Sequence, residues 1–480
     1  MASTDKPGPS RTLYQSIAQR LMCQIRDGTL PAGARLPSVR EIAERFGVSN
    51  NTAVQAYRHL ESFGVVDVRP RSGYFVRDVA PGGEPSATPG YDTPRSVSWS
   101  EHVLRLMEPH ARRDMVRMGI GLPAASLMPL RQFHRVLADT ARKFPEESWD
   151  YMHPDGHLPL RRQIARRTLT CEFPASVDDV LITNGCMEAL SLALQAVSRP
   201  GDAIAVEAPV YYGTLLLLGT HDRRVLEIPT SESEGLDLAA LERAMANRSI
   251  RACMFSANAQ NPLGFTMPEA NKRELVRLAA RYDIPVIEND VWGSTVADPD
   301  VRLPAKASDG HGIVIYCSSF SKVLMPGLRV GWALPGRYAR KFRELKRFTT
   351  IVSPSLAQVA LAQWLQRGLH DEHMDMLRRE LARQVEETAR LVLRRFPPGT
   401  AVNSPSGGCV LWIRLPPGVD SRRLASDAKQ SGIHVFPGEV FAPDGRFRDR
   451  LRINAGNPLS PRIRRAVATL GALAARQHTA

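Results

Sequence analysis

Ser318-Ser319-Phe320-Ser321-Lys322-Val323-Leu324-Met325-Pro326-Gly327-Leu328-Arg329-Val330-Gly331-Trp332 is the stretch that decides how this chain is read. The apolar run Ile313 to Tyr316 before it reads as a buried parallel strand that ends in small polar residues. Lys322 follows, then the turn signal Pro326-Gly327, then a second apolar strand over Leu328 to Ala333. Open α/β sheets bind ligands at the carboxyl ends of their strands, which is where this lysine falls. A lysine amine on a flexible stem becomes nucleophilic when desolvated, as an aldehyde cofactor requires. Arg329 lies seven residues on, with a planar fork suited to phosphate, and Ser319 and Ser321 offer hydroxyls to the same anion.

Strand-like runs surround that segment: 180–183, 203–206, 225–228, 252–255 and 285–287, each followed by helical periodicity. This is the βαβ pattern of a mostly parallel sheet. Candidate chemistry sits after the strands. Thr183-Asn184-Gly185-Cys186-Met187 opens a helix, so the N–H groups of Gly185, Cys186 and Met187 are placed to cradle a phosphate. Pro209-Val210-Tyr211, Asn261-Pro262-Leu263-Gly264 and Glu288-Asn289-Asp290-Val291-Trp292 end the following strands.

Taken together, these segments resemble the pyridoxal-phosphate aminotransferases of fold type I, over roughly residues 115 to 460. The resemblance implies a large domain built on the parallel sheet (about 150–350) and a smaller α+β domain from about 360 on. It implies that Lys322 is the Schiff-base lysine and that Ser319, Ser321 and Arg329 hold the phosphate. It further implies that Tyr211 stacks on the pyridine ring and that Asn261 bonds its phenolic oxygen. Tyr151, five residues before Gly156, resembles the tyrosine that crosses to a neighbouring subunit's phosphate, which implies a dimer. Arg452, in Leu451-Arg452-Ile453-Asn454, resembles the arginine for a substrate α-carboxylate. Two positions depart from the family. Relatives carry E-D-D-x-Y where this chain has Glu288-Asn289-Asp290-Val291-Trp292. Asn289 stands in the column of the aspartate that pairs with the ring nitrogen, and Trp292 in that of the tyrosine; Asp290 supplies the carboxylate only if the strand end is shifted. Leu263 replaces the usual threonine.

The first 78 residues read differently. Leu13, Ile17, Leu21 and Ile25 make one apolar helix face. Ser38 with Glu41 is a capping-box pattern, followed by the stripe Val39, Ile42, Ala43, Phe46 and the stop Gly47. Ser49 caps a further helix whose buried positions are read as Val54, Tyr57 and Leu60. The runs 65–68 and 73–76, around Arg69-Pro70-Arg71-Ser72, read as a hairpin with a basic tip. A helix-turn-helix followed by a basic wing is similar to the winged-helix domain of GntR-type regulators. That resemblance implies that Ser38, Arg40, Asn51, Thr52, Gln55 and Arg71 contact double-stranded DNA. Asn51, Thr52 and Gln55 would face base edges, and Arg40 and Arg71 the phosphates or, for Arg71, the minor groove. Residues 79–100, rich in Pro, Gly and Ser, read as a flexible linker to an aminotransferase-like part over 101–480.

The net charge of +14 suits an anionic polymer partner, although arginine-rich composition alone also produces it. The six cysteines are scattered, with no C-x-x-C pair and no metal-ligand spacing, so reduced thiols, a cytoplasmic setting and no metal are expected. No run of about 18 apolar residues is present, so no membrane partner is expected. The whole resembles the MocR subgroup of GntR-type regulators. This implies a head-to-tail homodimer, pyridoxal phosphate as cofactor and a small amino compound or amino acid as effector. A working aminotransferase with an appended DNA-binding domain, and a regulator with a vestigial cofactor site, are the two alternatives.

Overall fold

The computed structural model describes residues 13–26, 30–31, 33–62, 66–69, 73–76, 93–97, 114–170, 173, 175–299 and 301–478. The chain divides into two compact units, 1–89 and 90–480.

In the first unit, helix α1 (Leu13–Arg26) precedes α2 (Val39–Phe46) and α3 (Asn50–Ser62). Helix α2 is defined by its ends. The Ser38 hydroxyl accepts from Glu41 N at 3.2 Å while Ser38 N donates to the Glu41 carboxylate at 2.6 Å. This reciprocal box satisfies two donors that a bare helix start leaves open. At the far end Gly47 takes φ +61 and its N–H returns to the carbonyls of Ala43 and Glu44. Ser49 repeats the device for α3, accepting from Thr52 N at 3.2 Å. Ile17, Leu21, Ile42, Leu60, Val66 and Val76 form the core. Ala53 and Ala56 take the buried positions of α3 beside Tyr57, and Val54 is only half-buried, because small side chains let α1 and α3 approach closely. Strands β1 (Val66–Arg69) and β2 (Gly73–Val76) pair antiparallel. Tyr57 stacks on Tyr74 of β2 at 4.3 Å and donates its hydroxyl to the Pro37 carbonyl, which ties α3 to both the wing and the start of α2. Arg71 at the wing tip lies outside the described residues.

The second unit holds a nine-stranded sheet. Its strands are β3 (Arg95–Ser96), β5 (Leu181–Thr183), β6 (Ala203–Ala208), β7 (Arg224–Ser231), β8 (Gly235–Leu236), β9 (Ala252–Phe255), β10 (Val286–Asn289), β11 (Val314–Ser319) and β12 (Gly331–Leu334). The order is β3-β7-β6-β9-β10-β11-β12-β5, with β8 on β7. Strands β7, β6, β9, β10 and β11 run parallel, and β12 is reversed between β11 and β5. Side chains alternate across the sheet as period two requires. Ile287, Ile315 and Cys317 face the helix Cys186–Val197, and Val286, Val314 and Tyr316 face the opposite layer. A second, antiparallel sheet joins β13 (Ala401–Val402), β14 (Val410–Arg414), β17 (Arg450–Asn454) and β16 (Phe436–Pro437). The pair β4 (Val116–Arg117) and β15 (Ile433–His434) lies with it. Of the six cysteines, Cys186, Cys253, Cys317 and Cys409 are buried and free.

Four boundaries differ from the sequence reading. The connector of 79–100 gives up its far end to the sheet: Arg95-Ser96 pairs with β7, and Arg95 meets Asp444 at 2.7 Å. Leu328 does not begin a strand. Pro326–Leu328 is one turn of 3-10 helix, Arg329 takes φ +52, and the strand starts at Gly331, reversed. The smaller subdomain does not begin near 360. The helix Ser355–Gln366 packs in the large core, and the helix Leu369–Arg395 runs from one core into the other, with Met374, Leu377 and Leu381 in the first and Val385, Leu391 and Val392 in the second. An unbroken helix carries no compositional break to read. Residues 116–118, far upstream, also belong to the smaller core, where Asn454 N donates to Met118 O at 2.5 Å.

Ser38→Ala removes the α2 cap and is expected to lower the protection of α2 amides against hydrogen exchange by about 1 kcal/mol, while Ser38→Thr largely preserves it.

Candidate functional site

The carboxyl ends of β5, β10 and β11 meet above the smaller sheet, and the cleft is built there. Lys322 follows β11, half-buried, with Nζ donating to the Gly121 carbonyl at 2.7 Å and lying 5.3 Å from the Trp292 ring centroid. Loss of water pushes its amine down to about 8, and the guanidinium groups of Arg452 and Arg329 add to that against opposing contributions from nearby thiols. An amine with that value has a far larger neutral fraction near physiological pH than an ordinary lysine, and that fraction is available as a nucleophile.

At one end of the cleft Gly185 caps the helix Cys186–Val197 with φ +84 and no side-chain cap, so its first N–H groups stay open. A Cβ at Gly185 would overlap the Arg329 guanidinium, and one at Gly331 would come within 2.6 Å of the Gly185 carbonyl carbon. Arg329 Nη2 donates to the Asn184 carbonyl at 2.9 Å. Ser319 is buried, and its hydroxyl accepts from Ser321 N at 3.4 Å. Buried Asn184 Oδ1 has no hydrogen-bond partner. The result is a concave set of donors beside an exposed guanidinium, an arrangement that takes a phosphate. The Met187 side chain points to the exterior at 38% exposure, which leaves its backbone N–H as its link to the cradle.

At the other end Arg452 is 1% exposed and has no carboxylate partner among the described residues. Its Nη1 donates to Asn261 Oδ1 at 3.1 Å and its Nη2 to the Gly119 carbonyl, while Nε is buried and unmet. The rings of Tyr212, Phe436 and Phe441 surround it at 5.6, 5.0 and 5.1 Å. Burial pulls its pKa down, because loss of water disfavours the charged form. Tyr211 packs on Tyr212 at 4.6 Å, and Gly213 leaves room for its ring.

Asn289 and Asp290 part company at the end of β10. Asn289 is buried on the Cys186 side, where its Oδ1 accepts from the Cys186 thiol at 3.5 Å. The Asp290 carboxylate instead accepts from Tyr316 at 2.8 Å and from Asn258 Nδ2 at 3.2 Å, on the other face of the sheet. Burial, followed by the charge of Glu288, pushes Asp290 up to about 7. Trp292 is buried and forms the wall behind Lys322. Tyr151 is 79% exposed, in a surface hollow that it shares with Asn184 and Arg329.

On the first unit, Asn51 and Gln55 are exposed on α3. Thr52 is half-buried, with its hydroxyl 2.9 Å from that of Ser49. Arg40 is exposed and faces Glu44 at 3.6 Å, a loose pair that a phosphate would outcompete. The Ser38 hydroxyl is spent as an acceptor on its cap, which leaves its own O–H to donate.

Residues 125–470 match the aminotransferase class I and II family, and residues 13–76 match the family of bacterial regulatory proteins described as gntR. The chain is 36% identical over 462 residues to the HTH-type transcriptional regulator YjiR of Escherichia coli K12, covering 96% of this chain and 98% of the relative. The chain belongs to the GntR family, in its aminotransferase-bearing MocR-type branch. A second regulator of Escherichia coli K12, YdcR, is 35% identical over 460 residues, with the same coverage of 96% and 98%. Among solved structures, the α-aminoadipate aminotransferase LysN of Thermus thermophilus, complexed with N-(5'-phosphopyridoxyl)-L-leucine, superposes with a TM-score of 0.71 at 26% identity, over 79% of this chain and 98% of that one.

In this MocR-type chain the cleft brings together Lys322, Arg329, Ser319, Gly185, Asn289 and Arg452, which are scattered along the chain between positions 185 and 452. Sequence reasoning missed Gly121, because a backbone carbonyl on an upstream loop carries no side-chain signal. It also missed Tyr212, Phe436 and Phe441, whose apolar identity reads as ordinary core, and the Asn258–Tyr316 pair that turns Asp290 away.

Since only the neutral amine attacks an aldehyde, the rate at which cofactor-free protein takes up pyridoxal phosphate is expected to rise through about pH 8 and to level off above about pH 9. Stopped-flow absorbance measures it. A midpoint near the ordinary lysine value would show that Lys322 is not desolvated.

Proposed function

We propose that this protein is a pyridoxal-phosphate-dependent DNA-binding transcription regulator that senses an amino compound through its aminotransferase domain. The observation that carries this is the pairing of a capped helix-turn-helix unit with a cleft in which Lys322, its pKa lowered by burial, lies between a phosphate cradle and a buried arginine without a carboxylate partner among the described residues. The residues present fit the cofactor. The cradle at Gly185 is one that a Cβ would fill, and Arg452 Nε and Asn184 Oδ1 are buried polar atoms without partners.

When bound, the cofactor supplies an aldehyde carbon that can exchange its lysine for an incoming amine. Lys322 holds that carbon. The N–H groups of Cys186 and Met187, with Ser319, Ser321 and Arg329, hold the phosphate, completed by Tyr151 of the partner subunit; the Gly185 N–H is taken by the Thr183 carbonyl at 2.9 Å, so Gly185 contributes by leaving room rather than by donating. Tyr211 covers the ring, Asn261 meets its phenolic oxygen and Trp292 closes the wall. Arg452 takes the ligand's carboxylate, a task to which its fork is matched. The exposed side chains Trp149, Tyr151, Phe348 and Ile351 support a homodimer of this kind, and a head-to-tail arrangement in the cytoplasm follows from the same reading. Asn51, Thr52 and Gln55 on α3 read base edges, and Ser38, Arg40 and Arg71 hold phosphates.

Sensing rather than turnover follows from Asn289. With Oδ1 engaged by Cys186, the amide N–H is the end left for the ring nitrogen, and an N–H donor pairs with an unprotonated nitrogen. A carboxylate there would keep that nitrogen protonated and so favour loss of the ligand's α-proton; the Asn289 amide would not. The Asp290 carboxylate is committed to Tyr316 and Asn258. Amine exchange survives and proton abstraction slows.

Asn289→Asp is expected to raise single-turnover conversion of an added amino acid to its keto acid by about ten-fold or more, the worth of a charge-assisted bond over a neutral one, while amine exchange, read as an absorbance shift, stays unchanged. Fast multiple turnover by the natural chain with a common amino acid would instead establish the working-aminotransferase alternative, which the intact Lys322 and Arg452 favour.

A further inference from the structure

A second cavity lies behind the cleft, with a volume of about 320 Å³. It opens on the face of β11 that carries Tyr316 and Ser318, the opposite face from the helix Cys186–Val197. Ser318 and Trp332, paired across β11 and β12, form its floor. His370 and Arg378, on the first turns of the helix Leu369–Arg395, form one wall, and Arg302 with Pro304 forms another.

Three polar groups on that lining are unmet. Trp332 Nε1 and His370 Nδ1 are buried without a hydrogen-bond partner, and His370 is 5% exposed. The half-buried Arg302 side chain has no ion-pair partner among the described residues; its carbonyl alone is engaged, by Asn258 Nδ2 at 2.9 Å. The neighbouring charges are matched. Arg167 meets Asp371 at 2.7 Å, and Arg378 meets Asp375 and the Ser294 carbonyl, both at 2.9 Å. Phe173, Phe320 and Met374 supply the apolar faces, beside the hydroxyls of Thr168 and Ser318 and the Asp290 carboxyl, which Tyr316 and Asn258 engage. Buried polar groups without partners are costly, and two of them beside a half-buried guanidinium point to a ligand with an anionic and an apolar part.

We propose that this cavity is a second ligand site, for a small monocarboxylate with a flat apolar body of one or two rings. The carboxylate accepts from the Arg302 guanidinium and from Trp332 Nε1. The ring lies against Phe173 and Phe320 in the tilted arrangements that aromatic pairs prefer. His370, which burial holds well below its ordinary pKa and therefore neutral, meets an edge of the ligand through Nδ1. The site is distinct from the amine site at Lys322 and does not rest on the cofactor reading. It touches Asp290 and Ser319 from behind, and its wall is the helix that runs on into the smaller core. An occupant therefore bears on both the cleft and the joint between the two cores.

The test is isothermal titration of the full chain, saturated with pyridoxal phosphate, with indole-3-carboxylate and with its neutral carboxamide as probes. The expected result is one carboxylate per chain, with the carboxamide weaker by about ten-fold or more, the loss of a charged partner. Arg302→Ala and Trp332→Phe each lower carboxylate affinity by about ten-fold or more, and Arg452→Lys leaves it unchanged. Arg302→Ala removes no bond that holds the fold, so it remains informative if Trp332→Phe fails to fold. Affinity lost in Arg452→Lys and kept in Arg302→Ala would place the anion in the cleft and overturn the proposal. Absence of binding at millimolar probe, or a soaked crystal with only water in the cavity, would overturn it equally.

Discussion

The close approach of two glycines sets the geometry of the cleft. Gly331, at the start of the one reversed strand in the central region of the large sheet, lies against the Gly185 peptide that opens the helix Cys186–Val197. A side chain at Gly331 would force the two peptides apart, and one at Gly185 would displace the Arg329 guanidinium. Arg329 uses this approach: its left-handed backbone turns the chain back into the sheet, and its guanidinium crosses to the Asn184 carbonyl. The lysine segment, the helix N-terminus and Arg329 are therefore packed as one object rather than three neighbours. Lys322 is carried on it, next to Trp292 and the Gly121 carbonyl, in surroundings dry enough to bring its amine to about 8.

Two buried groups give that object its chemistry, and each is defined by a missing counter-charge. Arg452 is ringed by Tyr212, Phe436 and Phe441 with only Asn261 and a carbonyl as acceptors. A cation kept so dry is expensive unless an anion completes it. At the end of β10 the position expected to hold a carboxylate holds an amide, and the nearby carboxylate faces the other layer, hydrogen-bonded and pushed up to about 7. In the function proposed above, the first group would bind an amino acid and the second would slow its transformation, the combination a sensor joined to a helix-turn-helix unit requires.

Much of this is legible in the sequence because it is local. Ser38 with Glu41, Gly47, and the turn at Pro326-Gly327 are capping and turn signals whose partners sit within a few residues, and the structure follows them, although the strand after the turn starts at Gly331 rather than Leu328. What stays hidden is set by pairings distant in sequence. Which of Asn289 and Asp290 faces the cleft depends on a period of two at a strand end, where one residue of slip exchanges them. Arg95-Ser96 is too short to carry a period, and the helix Leu369–Arg395 passes between two cores without a break. The buried stripe of α3 runs through Ala53 and Ala56 rather than Val54, because alanines small enough for close packing carry little weight in a hydrophobic pattern.

The central claim is that occupancy at Lys322 is felt by the DNA-binding unit. The measurement is the affinity of the full, cofactor-loaded chain for a duplex selected by the protein itself, at fixed salt, with and without each member of a panel of amino acids and amines. The account predicts that at least one ligand changes that affinity by roughly 5- to 150-fold, the range of ordinary allosteric coupling, and that Lys322→Ala abolishes the response while still binding the duplex. An affinity that no ligand moves, or a response that persists unchanged in Lys322→Ala, would contradict it.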